Sequence, residues 1–289
     1  MITRTARRLA AALPTASARI AAVILLGVLV LTAFGPALAP YDPLAQNPDA
    51  ILRGPDPHHL FGTDELGRDV LSRIVTGTRP TVLSALAMVG IGVVGGALPG
   101  IASVLLGHRA AGVALRGVDA LLTLPGVVVA IAVAGVFGNG PATAALAVGT
   151  LFAPRLLRVV RAEALGYAHT QYVEAAELLG ASRLWIVRRH IWRKTLPTLG
   201  VTTALTAGYA VLATTSLGFL GLGVQPPHPT WGGMLAGTVQ QLWQDAWGPL
   251  WPGLFIIATV WSCNALADTL RRGEPAAAAP GTVKEATRV

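Results

Sequence analysis

The side chains best equipped for polar chemistry are concentrated between Arg155 and Pro197. Eight basic residues fall there, Arg155, Arg158, Arg161, Arg183, Arg188, Arg189, Arg193 and Lys194, with apolar, uncharged sequence on either side. Such groups can bind an acidic protein surface or lipid headgroups through charge-assisted hydrogen bonds. They are out of place in hydrocarbon, so the whole segment is expected in water. Covalent chemistry finds no foothold. A phosphate-binding loop needs Gly-Lys followed by Ser or Thr, and the two lysines, Lys194 and Lys284, follow Arg193 and Val283. Neither H-E-x-x-H, nor G-x-S-x-G, nor a Cys/His metal set occurs, and His58-His59 reads as a solvent-exposed pair in a loop. No catalytic residue, metal ligand or bound cofactor is expected, and any ATP must be hydrolysed by another polypeptide.

Two short helices are expected to position the cluster. Tyr172-Val-Glu174-Ala175-Ala176-Glu-Leu178-Leu-Gly180 reads as a helix of strong formers that Thr170 can cap and Gly180 can stop. A second piece runs from Ala181 through Ser182 and Arg183 to about Thr195, and Pro197 sits at the first turn of the next apolar run. Two helices joined by a glycine form a compact knob that a membrane-embedded chain can press into a socket on a soluble partner. The plain alternative is a solvated loop between two spans.

Composition sets the wider class. Hydrophobic residues make up 53% and charged ones 12% of 289 residues, and mean hydropathy is +0.59. An ordinary soluble domain is roughly 25% charged. The chain is therefore an all-helical, multi-span membrane protein. The net charge of +8 comes without a basic run interleaved with aromatics, so it reads as topology bias rather than nucleic-acid binding. Cys263 lies in an apolar run, so no intrachain disulfide can form.

Six spans are expected. Residues 1–19 form a cytoplasmic N-terminus and 20–39 the first span, retained because Pro40 would follow the only small-residue cleavage site, Ala37-Leu38-Ala39. A polar, proline-rich loop covers 40–79, and the core of the protein is 80–272. Within it the second span is Thr81–Gly107, followed by a short polar connection with His108, Arg109 and Arg116. Ala120–Ala153 is too long for one crossing and breaks at Gly138-Asn-Gly-Pro141 into a third and a fourth span. The basic loop occupies about 163–197. The fifth span runs from about Thr198 to Leu222, before Pro226, Pro227 and Pro229; Trp231–Trp243 is too short to cross and suits a re-entrant or interfacial helix. The sixth is Trp251 to about Leu270, and 273–289 is an Ala/Pro-rich, disordered cytoplasmic tail.

Basic residues then orient the chain. Four precede the first span, two lie between the second and third, eight in the central loop and four after the sixth, against four within Arg53–Arg79. The positive-inside rule puts both termini and the central loop in the cytoplasm and 40–79 outside. The spans are almost free of ionisable residues; Asp119 and Asp268 lie near expected cytoplasmic ends and Asp245 near the outer interface. A carrier that powers itself usually keeps such groups in its spans, so their absence suits a chain moved by a partner.

Three motifs bear a family resemblance. Glu174-Ala175-Ala176, Gly180, Ile191 and Leu196-Pro197, placed between two spans, resemble the EAA loop of the membrane subunits of bacterial ABC importers. In that family the loop is a coupling helix that docks in a cleft of the ATPase subunit. Gly62-Thr63-Asp64-Glu-Leu-Gly67-Arg68-Asp69 resembles a signature between the first two spans of the second, C-type permease of dipeptide, oligopeptide and nickel importers; physically it is a turn that Asp64, Arg68 and Asp69 can lock by ion pairs. Ser216 to Trp231, with Gly221, Gly223, Pro226 and Pro227, is similar to a segment of the same subfamily, and its glycines also suit close helix packing. One departure is Trp192-Arg193-Lys194-Thr195, where relatives often carry Leu-Pro-Asn-Ala.

The resemblance implies a type I ABC importer permease fold in a bacterial inner membrane, forming half of a pore for dipeptides or oligopeptides. Its implied partners are a homologous second permease, two ABC ATPase domains that bind ATP and Mg, an extracytoplasmic substrate-binding protein and membrane lipid, without nucleic acid. Glu174 would orient the knob, Ala175 and Ala176 would allow close approach, Gly180 would make the bend, and Arg183, Arg188 and Arg189 would meet acidic ATPase surface or headgroups. Tyr172, Leu178, Ser182 and Pro197 complete the coupling set. The pathway residues stay unassigned. Alternatives are a nickel or other small-solute permease and a stand-alone channel or carrier.

Overall fold

A computed structural model describes residues 15–105, 125–168, 170–239, 241–244 and 247–273. Among them the chain is helical apart from turns and one isolated antiparallel bridge, Thr63 to Asp69. Five helices are long and apolar enough to cross a bilayer: α1 (Ala16–Leu38), α2 (Val70–Leu105), α4 (Pro141–Ala168), α6 (Arg183–Phe219) and α8 (Leu250–Gly273). Shorter helices are α3 (Gly126–Phe137), α5 (Gln171–Leu178) and α7 (Trp231–Val239). The expected third span is represented by the twelve residues of α3, with 106–124 outside the described residues. The N-terminal arginines before residue 15, His108, Arg109, Arg116, Asp119, Asp245 and the tail from residue 274 also lie outside them.

Helices α2, α4, α6 and α8 form the bundle, with α1 against α2 and α8. Its apolar core includes Val82, Met88, Val148, Ala210, Leu217, Trp231 and Ile256. Crossings are close because glycines carry no side chain at the contact. A Cβ on Gly96 would stand 2.3 Å from the Ala153 carbonyl oxygen, and one on Gly100 would stand 2.9 Å from that of Leu157. With Gly92 these form a Gly-x-x-x-Gly repeat along α2 that lets α4 approach backbone to backbone.

The ends of the bundle separate clearly. At one end Asn139 joins two turns: its side-chain amide donates to the Gly221 carbonyl at 2.7 Å, and its oxygen accepts from the Gly223 N–H at 2.8 Å. The loop before α2 lies at this end too, where the Gln241 amide reaches Glu65 at 3.2 Å. At the other end Ile101, Ala164, Val173, Ile186 and Ile191 form a second apolar cluster.

Several boundaries differ from expectation. The loop taken to run to Arg79 ends at Asp69, because Asp69 caps α2, accepting from the Ser72 N–H at 2.7 Å and the Ser72 hydroxyl at 2.6 Å. Arg73 and Arg79 ride on the first turns of the helix rather than marking its outside. Arg155, Arg158 and Arg161 belong to a helix rather than to a connecting loop, since α4 continues to Ala168. The second half of the knob is no separate piece. It runs through a wide π turn at Val187–Ile191 into one helix that continues past Pro197 to Phe219. Pro197 thus lies inside a helix, a position tolerated in membrane bundles where neighbouring elements satisfy the freed backbone.

Candidate functional site

The knob is built by α5 and the first turns of α6. Thr170 has extended N-cap backbone, yet its hydroxyl does not cap α5; it donates to the Tyr167 carbonyl at 2.6 Å. The far end is closed by Gly180, at φ +84°. There the Ala181 N–H bonds the Ala176 carbonyl and the Gly180 N–H bonds that of Glu177, both at 3.0 Å, a Schellman closure that needs a left-handed residue. Ser182 then caps α6, accepting from the Trp185 N–H at 3.3 Å.

One face of α5 holds the knob to the bundle. Val173 is buried and Ala176 packs beside it on the cluster containing Ile101, Val160, Ile186 and Ile191. His190 lies tilted to Tyr172 and edge-on to Trp185, with ring centroids 5.9 and 5.2 Å away, tying α5 to α6. The opposite face is bare: Glu174, Ala175 and Glu177 are exposed, and Leu178 and Leu179 are each 89% exposed. Two neighbouring leucines on a tip cost hydration free energy unless a partner covers them. Arg183, Arg188 and Arg189 are exposed around this tip, and the Arg183 to Glu177 contact of 3.7 Å, open to solvent, contributes little. Pro197 is exposed further along α6.

The second motif is a locked loop at the opposite end. Asp64 receives Arg68 at 2.8 Å and Arg73 at 3.2 Å, all three side chains being largely buried. Asp69, besides capping α2, bonds His59 at 2.9 Å. Thr63 donates its hydroxyl to the Ala50 carbonyl and accepts from the Arg53 N–H. Gly62 and Gly67 have φ of +76° and +71°, and a Cβ on Gly67 would fall 1.9 Å from the Asn47 carbonyl oxygen, so only glycine fits. His58 is exposed as expected, whereas His59 is half-buried against Asp69; Asp56, accepting from the His59 and His58 N–H groups, is held below the ordinary carboxylate value, chiefly by the His59 bond.

The third motif performs packing. Gly221, at φ +74°, ends α6 with a second Schellman closure, the Leu222 N–H reaching the Leu217 carbonyl at 2.8 Å. Gly223 is pinned by Asn139, and Pro226 and Pro227 are exposed in the turn that follows. Trp231 is fully buried; its N–H bonds the Thr81 hydroxyl at 3.2 Å and its indole the Ile74 carbonyl at 3.3 Å. Helix α7 thus packs against α2, α6 and α8. The three motifs do not converge: the knob stands at one end, the other two at the opposite end, joined by α2, α4 and α6. Asn139, which staples two turns, was legible only as a turn residue, and the Gly92, Gly96, Gly100 repeat is a signal the motif reading passed over.

Residues 89–273 match the family described as binding-protein-dependent transport system inner membrane component. A probable D,D-dipeptide transport system permease protein, DdpC, of Escherichia coli is 37% identical over 250 residues, covering 86% of this chain and 84% of the relative. The di/tripeptide transport system permease protein DppC of Pseudomonas aeruginosa is 34% identical, covering 86% and 84%. The glutathione transport system permease protein GsiD of Pectobacterium atrosepticum is also 34% identical, covering 87% and 84%. Among solved structures, the inward-facing MetNI methionine ABC transporter superposes with a TM-score of 0.55 over 69% of this chain and 94% of that one, at 19% identity, a likeness of fold.

Proposed function

The chain belongs to the family of inner membrane components of binding-protein-dependent transport systems, and from that premise we propose that it is the C-type permease of an ATP-driven bacterial importer of short peptides. The named relatives handle dipeptides, di/tripeptides and glutathione, which favours a peptide over nickel. In this reading the chain supplies half of the pore beside a homologous second permease. Two ATPase domains bind ATP and Mg, and an extracytoplasmic binding protein delivers the solute. Both termini and the knob face the cytoplasm, and the Asp64 loop faces outward.

The observation that carries the coupling role is the bare Leu178-Leu179 tip on a knob continuous with a span. Helix α6 runs 37 residues, roughly 55 Å at 1.5 Å per residue. A push on the knob is therefore felt at the far end, beside Trp231. Val173 passes the same displacement to α2 and α4 through the shared apolar cluster. ATP-driven closure of the ATPases would move the knob and tilt these spans together, and hydrolysis would reset them. Glu174 and the arginines steer the docking, while the leucines supply the buried contact. The test is co-purification of the ATPase subunits with a chain carrying Leu178→Asp and Leu179→Asp. The substitutions lie on an exposed tip, so the fold should persist and the ATPases should be lost; full retention of the ATPases would remove the knob from the interface.

A further inference from the structure

We infer that Arg155, braced by Tyr209, is a cationic waypoint in the membrane-embedded pathway that receives a carboxylate of the transported solute. The inference rests on the peptide-import reading and adds a ligand-binding role for two residues of the spans. Arg155 stands fourteen residues along α4 from Pro141, about 21 Å from the outer turn. Tyr209 lies ten residues before the end of α6, about 15 Å from the same side. Both therefore fall within a hydrocarbon layer roughly 30 Å thick.

A guanidinium at that depth is expensive and is normally turned toward a bundle interior or a water-filled space. Here it borders a cavity of about 420 Å³ between α3, α4 and α6, lined also by Phe152, Thr206 and Ser216. Thr206 already donates its hydroxyl to the Thr202 carbonyl at 2.7 Å. No acidic side chain lines the cavity among the described residues, and the nearest acid along α4 in sequence is Glu163. Among the described residues Arg155 packs on the Tyr209 ring, whose centroid lies 5.1 Å from the guanidinium carbon. A ring on one face orients the group without using its N–H donors, so the planar fork stays open for a bidentate anion. Both Arg155 and Tyr209 are exposed. Every unmodified peptide carries a C-terminal carboxylate, whose passage through an apolar layer is costly unless a cation meets it.

The test uses the assembled complex with its unaltered binding protein in proteoliposomes, with one labelled dipeptide in two forms, free acid and C-terminal amide. The readout is the uptake ratio of acid to amide in wild type divided by that ratio in Arg155→Gln. Delivery by the binding protein cancels in this quotient. A quotient of about 10 or more is expected from loss of a charge-assisted bidentate contact, with Arg155→Lys intermediate and Tyr209→Leu at a few-fold. A quotient of one overturns the inference, Arg155 then meeting an acidic group of the second permease or a lipid phosphate; where Arg155→Gln imports neither form, Arg155→Lys and Tyr209→Leu decide by the same quotient. Should Arg155→Gln not assemble, Tyr209→Leu decides by the same quotient. Wild-type complexes that import neither form would overturn the peptide-import reading itself.

Discussion

Substituting Gly180 isolates the conformational step at the knob. A side chain there meets nothing, since no atom lies within 4 Å of where its Cβ would sit. What it meets is the backbone, at φ +84°. An L residue held left-handed costs about 1–2 kcal/mol, a factor of roughly 5–30 in the population of the closed turn. The Schellman bonds from Ala181 and Gly180 depend on that turn, as does the angle between α5 and α6. ATP-driven uptake by the reconstituted complex should therefore fall roughly 5–30-fold in Gly180→Val, with Gly180→Ala less affected and Gly180→Asn least, because asparagine tolerates left-handed backbone. Binding-protein-stimulated ATPase activity, measured in parallel, should uncouple in the same order. Unchanged uptake in the valine variant would refute the coupling role. A ranking by side-chain volume, with asparagine as damaging as valine, would refute the backbone argument.

Asp64→Ala leaves Arg68 and Arg73 without their shared, largely buried carboxylate, so a loss of roughly 3–5 kcal/mol is expected, read as a lowered Tm in detergent; an unchanged Tm contradicts it. Trp231→Phe removes the indole bond to the Ile74 carbonyl and opens space in the core, at about 1–3 kcal/mol, visible as faster thermal inactivation of uptake. Asp56→Ala frees the His58 and His59 N–H groups. Since folding lowers this carboxyl's pKa, its contribution is present above the ordinary aspartate value and lost as pH falls through the folded one. The stability difference between wild type and variant should be full at pH 7 and vanish in acid.

The class of this protein and the ends of several elements were legible residue by residue. Uncharged apolar runs of twenty or more residues have one low-energy medium, and α1 ends within a residue of its run while starting four residues before it, at Ala16. Gly180 and Gly221 announced helix ends because left-handed closure is a local property of the chain. Charge was a poorer guide. Arg73 and Arg79 suggested a loop because an isolated cation in a helix bundle is costly; Asp64, supplied by the preceding loop, changes that cost for Arg73, and Arg155 rides on α4 beside the Tyr209 ring. Pro197 suggested a break, and the packed bundle carries α6 through it. Composition along the chain therefore determined that this is a helical membrane protein with one polar knob. Tertiary structure decided which charges could be embedded and which helices were continuous, because the compensating partners are distant in sequence and meet only when the bundle closes.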